Sequence, residues 1–270
     1  MLESSLLFLG KADDPDCARA LEYCQKHFAH VTYCLGKWGD PLSEDIRKWE
    51  GDYIISYLSR WVIPETLLQR AKKAAINFHP ASPDYPGIGC NNFALYEDAK
   101  EYGVTCHHMA SKVDTGKIIK VRRFSVYPED GVDELLQRTY ENQMALFLEI
   151  AQIMSEGREL PTSTETWTRP PFSRKQFDEL FKITADMSEE EVASAAATAA
   201  VIILRRIDTH SCLSKSTQFV ADRCEQTIRV KVDTGRGMLC ITSPIPPTCH
   251  TRLNSGVRMT SIARMRMFRS

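Results

Sequence analysis

The sequence predicts an α/β fold: a Rossmann-like domain built on a mixed, mostly parallel sheet, followed by a divergent C-terminal appendage. Short apolar runs alternate with longer amphipathic stretches through the first half of the chain, which is the rhythm of a doubly wound sheet. One apolar run, residues 74–78, leads into polar side chains just before Pro80, as strands do at the ligand-binding edge of such a sheet. The charge balance reverses after residue 192, and this sets the appendage apart.

Each element is predicted from its local sequence. Asp14 followed by Pro15 caps and opens the first helix, and Pro64 opens a later one, because proline loses no hydrogen bond at the first helical position. The residues from 131 to 155 form a long amphipathic helix that is expected to cover the sheet. The predicted strands span residues 6–9, 31–35, 52–58, 74–78, 102–109 and 117–126, and the predicted helices residues 15–28, 41–49, 64–73, 91–96, 131–155 and 175–181.

Composition is that of an ordinary globular protein, with 270 residues of which 43% are hydrophobic and 26% are charged. This length suffices for one large domain and an appendage. The chain has no run of about 18 apolar residues, so no membrane span is predicted. Nine cysteines, without a Cys-x-x-Cys pair or a secretion signal, indicate reduced thiols and a cytoplasmic protein.

Two common cofactor sites are not indicated. The turn after the first strand, residues 10–14, is acidic and lacks the Gly-x-Gly-x-x-Gly pattern that cradles a dinucleotide phosphate. Cys106, His107 and His108 stand together, but alternation along a strand puts only Cys106 and His108 on one face. No second pair is spaced to complete a tetrahedral zinc site, so we expect no metal.

A candidate catalytic group lies at the end of the strand before Pro80. Asn77 and His79 are two residues apart, so their side chains share a face and set an amide donor beside an imidazole. Asp114 follows the next strand. In acyl transfer an amide donor stabilises the oxyanion, an imidazole exchanges a proton near neutral pH, and a carboxylate faces the imidazole. The alternative is that Asn77 and His79 only cap the strand by bonding to nearby backbone.

The order of four motifs resembles the folate-dependent formyltransferases. These motifs are the Asn-x-His strand end, the proline-rich loop of residues 80–89, the Gly-Val-Thr strand at 103–105 and the Asp-Thr-Gly loop at 114–116. The sequence of the loop after His79 looks most similar to the branch of the family that acts on sugar nucleotides, of the GDP-perosamine and dTDP-4-amino-4,6-dideoxyglucose type. The resemblance covers about residues 50–190 well and the first fifty residues more loosely.

The resemblance implies transfer of a formyl group from 10-formyltetrahydrofolate to the amino group of a GDP- or dTDP-linked 4-amino-4,6-dideoxy sugar, for surface polysaccharide or O-antigen synthesis. It also implies a homodimer. We expect no membrane partner, and the acidic catalytic part argues against a nucleic-acid partner. The implied catalytic residues are Asn77, His79 and Asp114; the folate-binding residues are Ser59, Arg60, Trp61, Ile63 and Thr115; and the substrate-binding residues are Tyr85, Pro86, Gly87, Asn91, Trp167 and Arg169. For Trp61 and Ile63 the alternative is ordinary packing in the core.

Three segments follow: a catalytic domain at 1–160, a family-like helical extension at 161–191 and an atypical basic segment at 192–270. Residues 193–270 hold twelve Lys and Arg against four Asp and Glu, a balance of +8, whereas the rest of the chain has 22 against 31, a balance of −9. One interpretation is a basic appendage that binds nucleic acid, as in methionyl-tRNA formyltransferase. The interpretation we favour is a frameshift that has replaced the native ending and left a poorly ordered segment. The alternative functions are therefore methionyl-tRNA formylation and a catalytically impaired folate-binding homologue.

Overall fold

The first 177 residues form a structural unit around a six-stranded sheet. The computed structural model describes residues 2–180 and three strands within the C-terminal segment, at 217–220, 227–233 and 238–244. The strands of the large sheet are β1 Leu2–Lys11, β2 Phe28–Gly36, β3 Gly51–Tyr57, β4 Ala71–His79, β5 Glu101–His108 and β6 Ile118–Ser125.

The sheet has the strand order β2-β1-β3-β4-β5-β6. Strands β1 to β4 are parallel to one another, whereas β5 is antiparallel to both β4 and β6. The predicted mixed, mostly parallel Rossmann-like sheet is therefore confirmed. The change of direction between β4 and β5 matters for the site, because it brings the end of β5 alongside the carboxyl end of β4.

Helices cover both faces of the sheet. They are α1 Pro15–His27, α2 Glu44–Arg47, α3 Glu65–Leu68, α4 Cys90–Tyr96, α5 Val132–Ser155 and α6 Arg174–Glu179. The Asp14 carboxylate caps α1 as predicted, accepting hydrogen bonds from the backbone N–H groups of Asp16 and Cys17. One apolar cluster packs α1 and α5 on the sheet through side chains such as Phe8, Tyr57, Phe78 and Phe147, and a smaller cluster around Leu7, Leu9 and Ile54 fills the other face.

Two predicted helices are shorter than expected. The helix predicted over 64–73 ends at Leu68, and β4 already begins at Ala71. Pairing with β3, in which Gly51 lies opposite Ala71, draws these residues into the sheet, so tertiary pairing overrides their helical propensity. The helix predicted over 41–49 is confined to Glu44–Arg47.

The described strands of the C-terminal segment form a separate antiparallel sheet. It runs β7 Thr217–Val220, β8 Thr227–Asp233 and β9 Met238–Pro244, in that order. The rest of the predicted extension, residues 181–191, and most of the basic segment lie outside the described residues, so the frameshift interpretation stays a hypothesis. Among the described helices, none is long and apolar enough to cross a membrane.

Gly116 fixes the loop between β5 and β6. A Cβ atom at this position would lie 1.7 Å from the backbone oxygen of His108, so only glycine allows this approach. We expect Gly116→Ala to lower the free energy of unfolding by about 2 kcal/mol or more, because backbone rather than a flexible side chain has to move. Urea denaturation checks this. The control is Gly131→Ala, whose Cβ would meet only the Glu134 carboxylate, and equal effects of the two substitutions would contradict the account.

Candidate active site

Asn77, His79 and Asp114 lie together at the carboxyl end of β4. The His79 Nδ1 atom is 3.3 Å from Asp114 Oδ2, and both side chains are about 95% buried. Asn77 is half-buried on the same face of the strand. The structure therefore brings the three predicted catalytic residues into one group, while the roles assigned to them remain predictions.

Asp114 is held in an unusual backbone conformation. Its φ angle is +48°, in the left-handed region that aspartate tolerates better than most residues. The Gly87 N–H donates a 2.8 Å hydrogen bond to Oδ2, and the same oxygen faces His79. The proline-rich loop thus contributes a backbone donor that orients the carboxylate.

Each ring nitrogen of His79 has an oxygen atom nearby. Nδ1 faces Asp114, and Nε2 lies 3.0 Å from the backbone carbonyl oxygen of Tyr85. Because carboxylate and carbonyl oxygens only accept, each ring nitrogen faces an acceptor, and this favours the imidazolium. The Cys90 thiol also approaches Nε2, at 4.0 Å.

Electrostatics keep this pair charged. Burial alone would lower the pKa of His79, but the Asp114 carboxylate, the Cys90 side chain and the Tyr85 carbonyl oxygen together outweigh burial and raise that pKa to about 10. Burial would likewise raise the pKa of Asp114, but the His79 charge, together with His107 and the Gly87 N–H, lowers that pKa to about 2. At neutral pH the site therefore holds a buried imidazolium–carboxylate pair.

A second imidazole, His107, completes the group and was not among the predicted site residues. It lies directly opposite Asn77 in the β4–β5 pairing and is 2% exposed. Its Nε2 atom is 3.1 Å from Asn77 Nδ2 and 3.4 Å from Asp114 Oδ1. The alternation along β5, which puts Cys106 and His108 on one face, already put His107 on the other face. The residues that His107 contacts depend on the register between β4 and β5.

Trp167 covers the two imidazoles. The edge of one ring faces the other in both contacts, with centroids 5.8 Å from His79 and 5.0 Å from His107. The indole Nε1–H donates to the carbonyl oxygen of Gly116 at 2.8 Å, which fixes the ring over the site. Trp167 was predicted from the sequence to contact substrate, and the structure places it against the catalytic group.

The predicted folate residues lie on two loops, with different exposure. Ser56 of β3 is level with Asn77 of β4, so the loop after β3 starts beside the catalytic group. Ile63 is buried in the core, which was the alternative considered for it, and Trp61 packs partly against the same cluster. Ser59 is half-buried, whereas Arg60 and Thr115 are exposed.

The remaining predicted substrate residues mostly contact other parts of the protein. The Asn91 amide is buried and donates to the Thr139 hydroxyl on α5. Arg169 forms two hydrogen bonds to the Glu97 carboxylate and lies over the Tyr85 ring. Tyr85 is buried, which raises the pKa of its hydroxyl to about 12, and the Pro86 carbonyl accepts from the Phe172 N–H. Substrate contacts by these residues stay predictions.

No group of three or more His, Cys, Asp and Glu side chains within the described part of the chain is arranged to hold a metal ion. The site itself offers an amide donor, a charged imidazole and a carboxylate. These are groups that stabilise an oxyanion and transfer protons.

Comparison with known proteins identifies the domain. Residues 37–151 match the family model described as formyl transferase. This part of the chain is a formyl transferase domain, and the resemblance to the folate-dependent formyltransferases is confirmed for it. Methionyl-tRNA formyltransferase of Listeria innocua is 30% identical over 96 residues, which are 35% of this chain and 31% of that protein. The chain spans about a third to just over half the length of the curated relatives it matches.

Solved structures show the same fold. The formyltransferase PseJ from Anoxybacillus kamchatkensis, crystallised with UDP-4,6-dideoxy-4-formamido-L-AltNAc and tetrahydrofolate, is 25% identical; the match has a TM-score of 0.53 and covers 72% of this chain and 100% of that one. The N-formyltransferase from Helicobacter canadensis, crystallised with folinic acid and dTDP-3-aminofucose, is 16% identical, with a TM-score of 0.61 and coverage of 90% and 99%. At such identity the second match shows the fold alone.

The charged pair predicts a specific pH dependence of stability. Because the His79 pKa rises on folding from 6.5 to about 10, its contribution is complete below pH 6.5 and is lost as pH rises toward 10. The contribution of Asp114, whose pKa falls from 3.8 to about 2, is complete above pH 3.8 and is lost on acidification. The difference in free energy of unfolding between wild type and His79→Gln should therefore be largest between about pH 4 and 6.5 and shrink toward pH 10.

Urea denaturation at pH 5.5, 7.5 and 9.5 measures that difference. His30→Gln is the matched control, since the His30 side chain is 71% exposed. A difference for His79→Gln that does not change with pH would contradict the charged pair.

Proposed function

We propose that this protein transfers a formyl group from 10-formyltetrahydrofolate to the amino group of a nucleotide-linked 4-amino-4,6-dideoxy sugar. The observation that carries the proposal is the group of Asn77, His79 and Asp114 at the carboxyl edge of the sheet, inside a formyl transferase domain. We also expect a cytoplasmic homodimer whose product serves surface polysaccharide or O-antigen synthesis.

The geometry supports a direct transfer. The sugar amine attacks the formyl carbon, and the carbonyl oxygen becomes an oxyanion. The Asn77 N–H and the positive charge of His79 stabilise that oxyanion in a site largely closed to water. The carbon–nitrogen bond to N10 of the folate then breaks, and N10 takes up a proton while the amine loses one. The His79–Asp114 pair holds a proton on the imidazole and an acceptor on the carboxylate, so it serves both transfers.

The loop after β3 fits the folate end of the donor. It starts level with the catalytic strand, and Val62 on it is 73% exposed. Trp38, on the loop after β2, is 74% exposed, and the Trp61 Nε1–H donates to the Asp40 carbonyl oxygen, which ties the two loops together. Exposed apolar side chains near the ligand-binding edge of such a sheet suit an aromatic ligand. Folate derivatives are bound in the PseJ and Helicobacter canadensis structures.

The identity of the sugar nucleotide rests on the relatives. The similar structures hold UDP- and dTDP-linked sugars, with a formamido group at position 4 in the first and an amino group at position 3 in the second. We therefore extend the set of candidate substrates from GDP and dTDP to UDP, with the 4-amino sugars first.

Methionyl-tRNA formylation is the second candidate, favoured by the relative from Listeria innocua. Residues 1–192 carry a net charge of −9, whereas binding of a tRNA backbone requires a positive surface. A sugar nucleotide, with only two phosphates, needs few cations, so charge favours the first candidate.

Turnover tests the proposal directly. Tetrahydrofolate release from 10-formyltetrahydrofolate is followed by absorbance with GDP-, dTDP- and UDP-linked 4-amino sugars, a dTDP-linked 3-amino sugar and methionyl-tRNA. We expect turnover with a sugar nucleotide, and Asn77→Ala should lower kcat by about 10²–10³-fold, as loss of one oxyanion donor does. Asn142→Ala, at a half-buried asparagine on α5, is the control and should retain activity. Turnover with methionyl-tRNA alone would overturn the sugar assignment.

A further inference from the structure

We propose that His107 is a positioning residue that aims the Asn77 amide at the formyl oxygen. The inference deepens the proposed function and rests on it. It starts from an imidazole that lies within hydrogen-bonding distance of the proposed oxyanion donor and has no place in the transfer chemistry itself.

Hydrogen bonding fixes which His107 nitrogen carries the hydrogen. Nδ1 lies 2.8 Å from the backbone oxygen of His108, and a carbonyl oxygen can only accept. Nδ1 is therefore the N–H nitrogen, which leaves a lone pair on Nε2 when the ring holds one hydrogen. The Asn77 Nδ2 group, 3.1 Å away, donates to that lone pair.

This bond selects one of the two orientations of the Asn77 amide. With one N–H directed at His107, the second N–H of the same nitrogen is free to donate to the formyl oxygen. If the amide turned over, its Oδ1 atom would meet the lone pair of Nε2, and the oxyanion would lose its donor. Amide orientation is decided by such neighbours, since the two forms have nearly the same shape.

The surroundings hold His107 firmly. It is 2% exposed, the backbone of β5 sets it opposite Asn77, and the edge-to-face contact with Trp167 limits rotation of the ring. The competing partner of Nε2 is Asp114 Oδ1, at 3.4 Å against 3.1 Å for Asn77. If Nε2 carried a hydrogen and donated it to Asp114, His107 would orient the Asp114 carboxylate instead of the Asn77 amide.

A double-mutant cycle separates these two roles. His107→Leu removes the acceptor, whereas His107→Gln offers an amide oxygen near the position of Nε2. With the sugar nucleotide found in the turnover assay, we expect His107→Leu to lower kcat by about 10²-fold with KM for 10-formyltetrahydrofolate nearly unchanged, and His107→Gln to restore most of the loss. In an Asn77→Ala background, His107→Leu should have almost no further effect, since the group it orients is gone.

If His107→Leu lowered kcat in the Asn77→Ala background as much as it does in the wild-type background, the inference would be overturned. A second measurement does not depend on turnover: hydrogen exchange of the ¹⁵N-labelled Asn77 side-chain amide. Exchange should be slow in wild type and in His107→Gln and at least tenfold faster in His107→Leu, with the circular dichroism spectrum unchanged. Equal exchange in all three proteins would also overturn it. If wild type showed no turnover but slow exchange of the Asn77 side-chain amide, the proposed function would be rejected and the bond from Asn77 to His107 would not.

Discussion

The site depends on one buried carboxylate that lies beside two imidazoles. Asp114 Oδ2 faces His79 and accepts from the Gly87 N–H, while Oδ1 lies beside His107. Burying an aspartate without partners would raise its pKa and discharge it. Here the neighbours reverse that shift, so the negative charge persists and in turn holds His79 as a cation. The acid form of the imidazole and the base form of the carboxylate are thereby kept 3.3 Å apart within the protein interior.

The fold supplies this arrangement through several separate chain segments. The antiparallel pairing of β4 with β5 sets His107 against Asn77, and the proline-rich loop delivers the backbone donor of Gly87. Residues 160–173 then cross the loop: the Phe172 N–H and carbonyl bond to the loop backbone, and the Phe172 ring stacks on Phe93 at a centroid distance of 3.7 Å. The Gln143 side-chain amide of α5 donates to the Phe78 carbonyl oxygen of β4. Hydrogen bonds and ring stacking thus link the chain segments around the site to one another.

Sequence patterns anticipated the sheet and the pair of Asn77 and His79, because period-two alternation and a proline stop are local signals. Asp114 was anticipated from the resemblance to the folate-dependent formyltransferases. Partners across strands were not readable in this way. The pairing of Asn77 with His107 depends on the register of β4 and β5, which local sequence does not determine. The same limit explains Asn91 and Arg169: both carry groups that suit a nucleotide, yet Thr139 and Glu97, which are 48 and 72 residues away in sequence, engage them.

The central claim is that His79 is a buried cation at neutral pH. NMR of protein with ¹⁵N-labelled histidine rings measures this directly, since the two nitrogens of an imidazolium give nearly equal shifts and those of a neutral ring do not. The His79 signals, assigned by their absence from His79→Gln, should keep the imidazolium pattern through pH 7 to 9 and change only near pH 10. A neutral ring at pH 7, titrating at or below the ordinary value of 6.5, would contradict the account.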